Sequence, residues 1–266
     1  MMDYVKYLDL IEQGKKEEAK KYRKSKTPSR LYKYFSLKNA ADSKLQYLKE
    51  NKIFLSDFGG FNDPFEGRFF RFDDEKIKAN KWNPQDVRRH YAEFCKMARY
   101  TCLSATNENN MPMWAYYADN HEGFCVEYNF TERQKKYIYP VSYEPYERPM
   151  ANNVSMNLLY AYMKLSAEGK SVDDISSEID MLMEMYIISL ASKHSSWKHE
   201  AECRIIVANR HDFPAVASRI YIGLNCKEEH RRKLIEIGRT IEFCEVYQMT
   251  IDENSERFEL KPVLCK

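Results

Sequence analysis

Apolar residues alternate with polar ones in several short stretches of the chain and recur at helical spacing in others, and this alternation already divides it into elements. Val5, Leu8, Leu10 and Ile11 predict an amphipathic helix over residues 3–24, running into a Lys- and Glu-rich solvated end that Pro28 stops. Leu31 to Phe35 is a short aromatic strand. A helix follows over 39–50, carrying Leu45 and Leu48, with Asn51 suited to the left-handed position past its end. Residues 52–56 form a second strand. Gly59 to Gly67 is dense in turn formers, a compact loop of the kind that edges a binding site or only joins two elements.

Residues 72–99 read as helical with an irregular stretch at Trp82 and Pro84, and 101–106 as a strand ending in hydroxyls. A helix starts near Pro112 with Asn110 as cap. Trp114, Tyr117, Ala118 and His121 fall on one of its faces, and Gly123 stops it. Phe124, Val126, Tyr128 and Phe130 then alternate with polar positions as a strand. Residues 131–149 are a strand or irregular connection, and 151–193 one or two helices covering the sheet. Further strands are expected at 219–224, 245–251 and 258–264, with a charged helix over 227–238 between the first two. Strands and helices mix without a strict βαβ rhythm, so the expected fold is α+β, with a mixed, mainly antiparallel central sheet, flanking helices and a helical insert. No repeat or linker divides the chain, which is read as one domain over 1–266, with an N-terminal helix within 1–28 and the insert at 151–193.

The stretch from Ser196 to Val207 is the one place where paired carboxylates run into a strand. In extended backbone Glu200, Glu202 and Arg204 share one face, and Ala201, Cys203, Ile205 and Val207 the other. Two acids two residues apart lie about 7 Å apart, so one can hold a substrate hydroxyl while the other faces a developing positive charge. The plainer alternative is that Glu202 and Arg204 form an ordinary ion pair on a strand.

Composition narrows the choices. Lys plus Arg at 42 against Asp plus Glu at 40 gives +2, which argues against a strongly basic nucleic-acid coat without excluding a local basic groove. Seven cysteines, none in a Cys-x-x-Cys spacing, read as reduced thiols, and no metal site is expected. No apolar run reaches bilayer length and no basic flank opens the chain, so a cytoplasmic protein without a membrane partner is expected. A phosphate-cradling Gly-x-x-x-x-Gly-Lys loop and a Gly-x-Gly-x-x-Gly turn are both missing, which disfavours P-loop and Rossmann enzymes.

Several segments together resemble a bacterial family of unknown function, domain family 2971: Leu31-Tyr32-Lys33-Tyr34; Phe61-Asn62-Asp63-Pro64-Phe65-Glu66; Met113-Trp114-Ala115-Tyr116-Tyr117-Ala118 leading to His121-Glu122-Gly123-Phe124; and Trp197 with Glu200-Ala201-Glu202-Cys203-Arg204. The resemblance spans about residues 30–265 and brings no chemistry with it. A more distant resemblance, to ADP-ribosyltransferases, does. Those enzymes carry an Arg or His on a first strand, a serine motif on a second and a Glu-x-Glu opening a late strand. Lys33 falls at the first position, Ser104 and Thr106 at the second, and Glu200-Ala201-Glu202 at the third. Lys33 departs from Arg or His, and Ser104-Ala105-Thr106 is a loose version of the serine motif.

That resemblance implies NAD as the cofactor, with Glu202 and Glu200 as catalytic residues. Glu202 holds the ribose 2′-hydroxyl, and Glu200 orients or deprotonates the acceptor. Lys33, with Tyr34 beside it, meets the pyrophosphate, Ser104 the nicotinamide ribose, and Trp114 or Tyr117 stacks on a ring. Asn62, Asp63, Glu66, His121 and Arg204 complete the candidate set as loop or substrate residues. Two other classes stay open. One is a metal-dependent nuclease, with Asp63, Glu66, Glu200 and Glu202 around Mg²⁺. The other is a non-enzymatic module that binds nucleic acid or protein through its 20 tyrosines and 14 phenylalanines. The acceptor, protein or nucleic acid, is not specified, and a toxin or phage-defence role is imaginable for such a family.

Overall fold

A computed structural model describes residues 2–39, 41–57, 63, 65, 70–143, 164, 167–169, 184, 187–208 and 210–265. Most of the helical insert expected over 151–193 lies outside the described residues.

The amino-terminal segment forms two helices rather than the single one expected, α1 (Tyr4–Glu12) and α2 (Lys16–Lys26). The chain turns at Gly14, whose φ of 73° is left-handed, a conformation glycine reaches without the Cβ clash that other residues meet. The turn lets both helices bury a face. Tyr4, Tyr7 and Ile11 are buried from α1, and Ala19 and Arg23 from α2. Arg23 is a clamp rather than part of a basic binding face. Its guanidinium donates to the carbonyls of Ile138 (2.7 Å) and Lys136 (2.8 Å) and lies over the Tyr139 ring.

The strands are β1 (Arg30–Phe35), β2 (Lys52–Phe54), β3 (Ala98–Ser104), β4 (Phe124–Asn129), β5 (Ile138–Pro140), β6 (Glu202–Ala208), β7 (Asp212–Pro214), β8 (Ala217–Ile222), β9 (Glu245–Ile251) and β10 (Leu260–Leu264). Eight of them make one sheet in the order β10-β9-β8-β4-β1-β3-β6-β5, and β2 pairs with β7 separately. Among these strands every pairing is antiparallel except β8 with β9, which the crossover helix α7 (Glu228–Thr240) connects. The α+β class with a mixed, mainly antiparallel sheet is therefore the fold observed.

Side chains alternate across the sheet, and helices cover both faces. Leu31, Val126, Ile205 and Ile220 belong to a core closed by Leu45 and Leu48 of α3 (Ala41–Lys49) and Leu234 of α7. Tyr32, Tyr34, Cys125, Tyr221 and Met249 meet Met113 and Trp114 of α6 (Met111–Tyr117). Tyr100 and Ile206 pack with α1, with Ile77 of α4 (Asp74–Ala79) and with Val87 and Tyr91 of α5 (Pro84–Met97). The helical stretch expected over 72–99 is thus two helices, and the strand expected at 101–106 starts at Ala98 and ends at Ser104.

One feature of the sheet positions the site. Strands β3 and β6 stay in register from Ala98↔Ala208 to Ser104↔Glu202, and β1 and β4 from Arg30↔Asn129 to Phe35↔Phe124. By contrast, β1 and β3 meet only at Tyr32↔Ser104. The sheet is two ladders pinned together at one position, and it opens on the side of that pin where Lys33, Tyr34 and Thr101 stand.

Helix α6 starts as expected, with the Asn110 side chain accepting from Met113 N, but it ends at Tyr117. Asp119, Asn120 and His121 then take φ of 51°, 50° and 70°, so His121 is not on the helix face with Trp114 and is folded back beside it. Gly123 follows because a Cβ there would stand 2.0 Å from the Phe35 carbonyl oxygen. Gly123→Ala is expected to lose about 1–3 kcal/mol by overpacking against backbone, read as a lower denaturant midpoint at unchanged m.

Candidate functional site

Glu200 does not share an extended strand with Glu202. Residues Ser195–Glu200 form a 3₁₀ helix, Ala201 is left-handed with φ of 44°, and β6 begins at Glu202. Strand alternation therefore holds for Glu202 and Arg204 but not for Glu200. The two carboxylates converge nonetheless, because one ammonium binds both. Lys193 Nζ lies 2.5 Å from Glu200 Oε2 and 3.1 Å from Glu202 Oε2. Arg204 Nε donates to Glu202 Oε1 at 2.6 Å, and the same guanidinium donates to the Leu190 carbonyl. Tyr117 Oη donates to Glu200 Oε1 (2.6 Å), Ser104 Oγ donates to the Glu200 carbonyl (2.7 Å), and Tyr143 Oη accepts from Glu202 N (2.8 Å).

Two acids and two bases thus form a neutral, almost fully buried quartet, with side-chain exposures of 6% for Lys193, 3% for each glutamate and 0% for Arg204. Burial works to raise the Glu202 pKa, but Arg204 and Lys193 outweigh it and hold the carboxyl down to about 2. Burial likewise works to lower the Lys193 pKa, and the two carboxylates reverse it into a rise.

These side chains border a cavity of 290 Å³ at the opening between β1 and β3, with Lys33, Tyr34, Ser104, Tyr117, Glu200 and Glu202 in its wall. Lys33, Tyr34, Ser36, Thr101 and Tyr117 also border a second cavity, of 640 Å³, whose far side is Phe35, Lys44, Tyr47 and Phe54. The two are halves of one cleft, with Lys33 at the waist. Lys33 Nζ donates to the Cys102 carbonyl (3.1 Å), and Lys44 Nζ to that of Ser36 (2.7 Å). Burial lowers the pKa of both, and among the described residues neither forms an ion pair. Each ammonium has three donors, so both retain capacity for an anionic ligand.

The structure therefore brings Lys33, Tyr34, Ser104, Tyr117, Glu200 and Glu202 to one cleft and leaves others outside it. Trp114 is 0% exposed, its Nε1 donates to the Glu108 carbonyl (2.7 Å), and its ring packs edge-on against Tyr34 and flat against His121. Neither Trp114 nor His121 borders either cavity. Arg204 lies behind the glutamates. Asp63 is buried and its Oδ1 accepts from Phe65 N (2.9 Å), an Asx turn. Asn62 and Glu66 lie outside the described residues. Among the described residues no three His, Cys, Asp or Glu side chains stand together as a metal-holding group.

Sequence reasoning missed Lys193 and Tyr143. Both precede the Glu200–Glu202 segment, and no short spacing ties either to it.

The sequence model of a family described as a protein of unknown function (DUF2971) matches residues 113–205. That is shorter than the span over which the motifs resemble it, and covers the carboxylate side of the cleft but neither Lys33 nor Ser104. No curated protein and no solved structure matches the chain. Among the described residues no helix is long and apolar enough to cross a membrane.

Proposed function

We propose, for a chain whose residues 113–205 match the model of the DUF2971 family, an ADP-ribosyltransferase-like enzyme that takes NAD as a substrate and passes ADP-ribose to an acceptor. The observation that carries this reading is the order of chemistry along the cleft. Buried carboxylates stand at one end, two lysines that form no ion pair among the described residues at and beyond the waist, and aromatic and aliphatic walls at the other end. NAD has a matching order of cationic nicotinamide riboside, diphosphate and adenosine. Carboxylates suit the positive charge that grows on the ribose as the nicotinamide bond breaks, and ammonium groups suit the diphosphate. Phe35, Tyr47 and Phe54 suit the flat, apolar adenine.

In this reading Glu202 accepts a hydrogen bond from the ribose 2′-hydroxyl and faces the developing positive charge. It is ionised throughout the neutral range because Arg204 and Lys193 hold its pKa at about 2. The C–N glycosidic bond breaks with its electron pair going to the nicotinamide nitrogen, whose ring charge is thereby neutralised. The acceptor's nucleophilic atom bonds to the ribose carbon, and its proton passes to Glu200, which Tyr117 orients. Water in place of the acceptor gives hydrolysis. The metal-nuclease reading gains no comparable support, since no metal-holding carboxylate group forms among the described residues.

Calorimetric titration with NAD tests the site. Saturable binding is expected, weakened by about tenfold or more in Lys33→Met and in Lys44→Met, since a charge-assisted bond to phosphate is worth at least about 1.4 kcal/mol. Absence of binding at millimolar NAD, or wild-type affinity in both variants, contradicts it.

A further inference from the structure

Glu200 and Glu202 are paired with Lys193 and Arg204, so that two acids and two bases already balance, all four side chains being almost fully buried. With the Lys33 ammonium also on the cavity wall, a further positive charge entering beside them would be uncompensated, and uncompensated charge in a buried site is costly. A cationic ligand therefore fits only by exchange with one of the two.

The two cations differ in their freedom to leave. Arg204 is fully enclosed, bonded to Glu202 through Nε and to the Leu190 carbonyl, and does not border the cavity. Lys193 borders it, and its ammonium ends a flexible four-carbon stem. The same ammonium already lies 4.6 Å from the centroid of the Trp197 ring, a face that attracts a cation independently of the carboxylates. The Trp197 ring is half-buried and lies tilted beside the ring of His199, which is exposed.

We propose that Lys193 is a displaceable counter-ion on a cation-binding site formed by the two carboxylates, its ammonium standing where a ligand's positive charge binds. The ligand class is a flat organic cation. The proposal rests on the NAD reading only in identifying that cation as the oxidised nicotinamide ring, which is charged, whereas the reduced ring is neutral and offers nothing in exchange. The carboxylate pair then favours the oxidised dinucleotide, and Lys193 is the residue that competes with its ring for that place and sets how tightly it binds.

The test uses two small probes of nearly the same shape, 1-methylnicotinamide, a cation, and nicotinamide, which is neutral. Binding of each to the full chain is measured for wild type and for Lys193→Gln, whose amide keeps hydrogen bonds to the carboxylates without the charge. The cation is expected to bind the variant tighter by about tenfold or more, while nicotinamide changes by less than about twofold. Unchanged or weaker binding of the cation, or an equal change for both probes, overturns the proposal. A readout on wild type guards against a variant that does not fold. Acylation of Lys193 by an amine-directed reagent, followed by mass spectrometry, is expected to rise at least about threefold when the cation is present and not when nicotinamide is. No rise with the cation contradicts displacement. Neither readout needs bond cleavage, so loss of the Lys193 effect with nicotinamide release intact rejects this proposal alone, and the converse rejects the transferase reading alone.

Discussion

Lys193→Met is expected to cost about 3–5 kcal/mol of stability at pH 7, the penalty for leaving buried charge without its partner. The methionine fills much of the lysine's volume, so the loss reports the ammonium rather than a cavity. Its pH dependence is the diagnostic part. In wild type the Glu202 pKa is lowered from an ordinary 4.5 to about 2, with Lys193 among the causes. A carboxyl whose folded pKa lies below its unfolded one contributes stability that is fully present above the unfolded value and is lost as pH falls through the folded one. Removing Lys193 takes away part of the depression and so part of the contribution. The gap between wild type and variant is therefore widest above about pH 4.5 and narrows toward pH 2. Urea unfolding across that range measures it, and a gap independent of pH would show that Lys193 acts by packing. A cationic ligand that takes the ammonium's place should restore part of the loss at neutral pH by mass action.

Glu202→Gln and Glu200→Gln are expected to separate bond breaking from transfer. Glutamine at 202 keeps the shape and one hydrogen-bond acceptor but removes the negative charge that, in the proposed reaction, faces the ribose as nicotinamide departs. Nicotinamide release should fall on the order of 10²- to 10³-fold, the scale seen when one group aimed at developing charge is lost. Glutamine at 200 removes the group that, in the proposed reaction, takes the acceptor's proton, and leaves Glu202 paired with Arg204. Release should then fall much less than transfer to an acceptor, since general-base assistance contributes typically about 10²-fold or more to the step it serves. Circular dichroism on both proteins establishes that each is folded. An equal fall in release for the two variants would show that the carboxylates act as one structural unit.

Local rules made much of the architecture legible. Asn51 is left-handed with φ of 55°, Asn110 caps α6, and the alternation of Phe124, Val126 and Tyr128 is an observed strand face. Glu202 and Arg204 pair along β6 because a period of two puts them on one side. Other features depend on contacts between distant segments. Glu127 reads as the polar face of its strand, yet it is buried and accepts from Tyr32 Oη (3.0 Å), Ser218 Oγ (3.0 Å) and Tyr221 Oη (3.3 Å), because helices cover both faces of the sheet. Trp114 fits a stacking residue by its spacing but fills the core instead. Above all, the cleft arises because β1 and β3 part after a single paired position, a property of register that neither strand's own residues encode. Lys193 was hidden for a related reason. Its partners are set by the left-handed turn at Ala201, which swings Glu200 out of the strand and onto the ammonium.

The claim that carries the rest is that the carboxylates at this cleft break the nicotinamide–ribose bond of NAD. The direct measurement is nicotinamide released from NAD by purified wild-type protein, alone and with cell extract as a source of acceptor, beside Glu202→Gln at equal concentration. The account predicts release by wild type, greater with extract, and near-complete loss in the folded variant. No release by wild type under either condition, or undiminished release by Glu202→Gln, would contradict it.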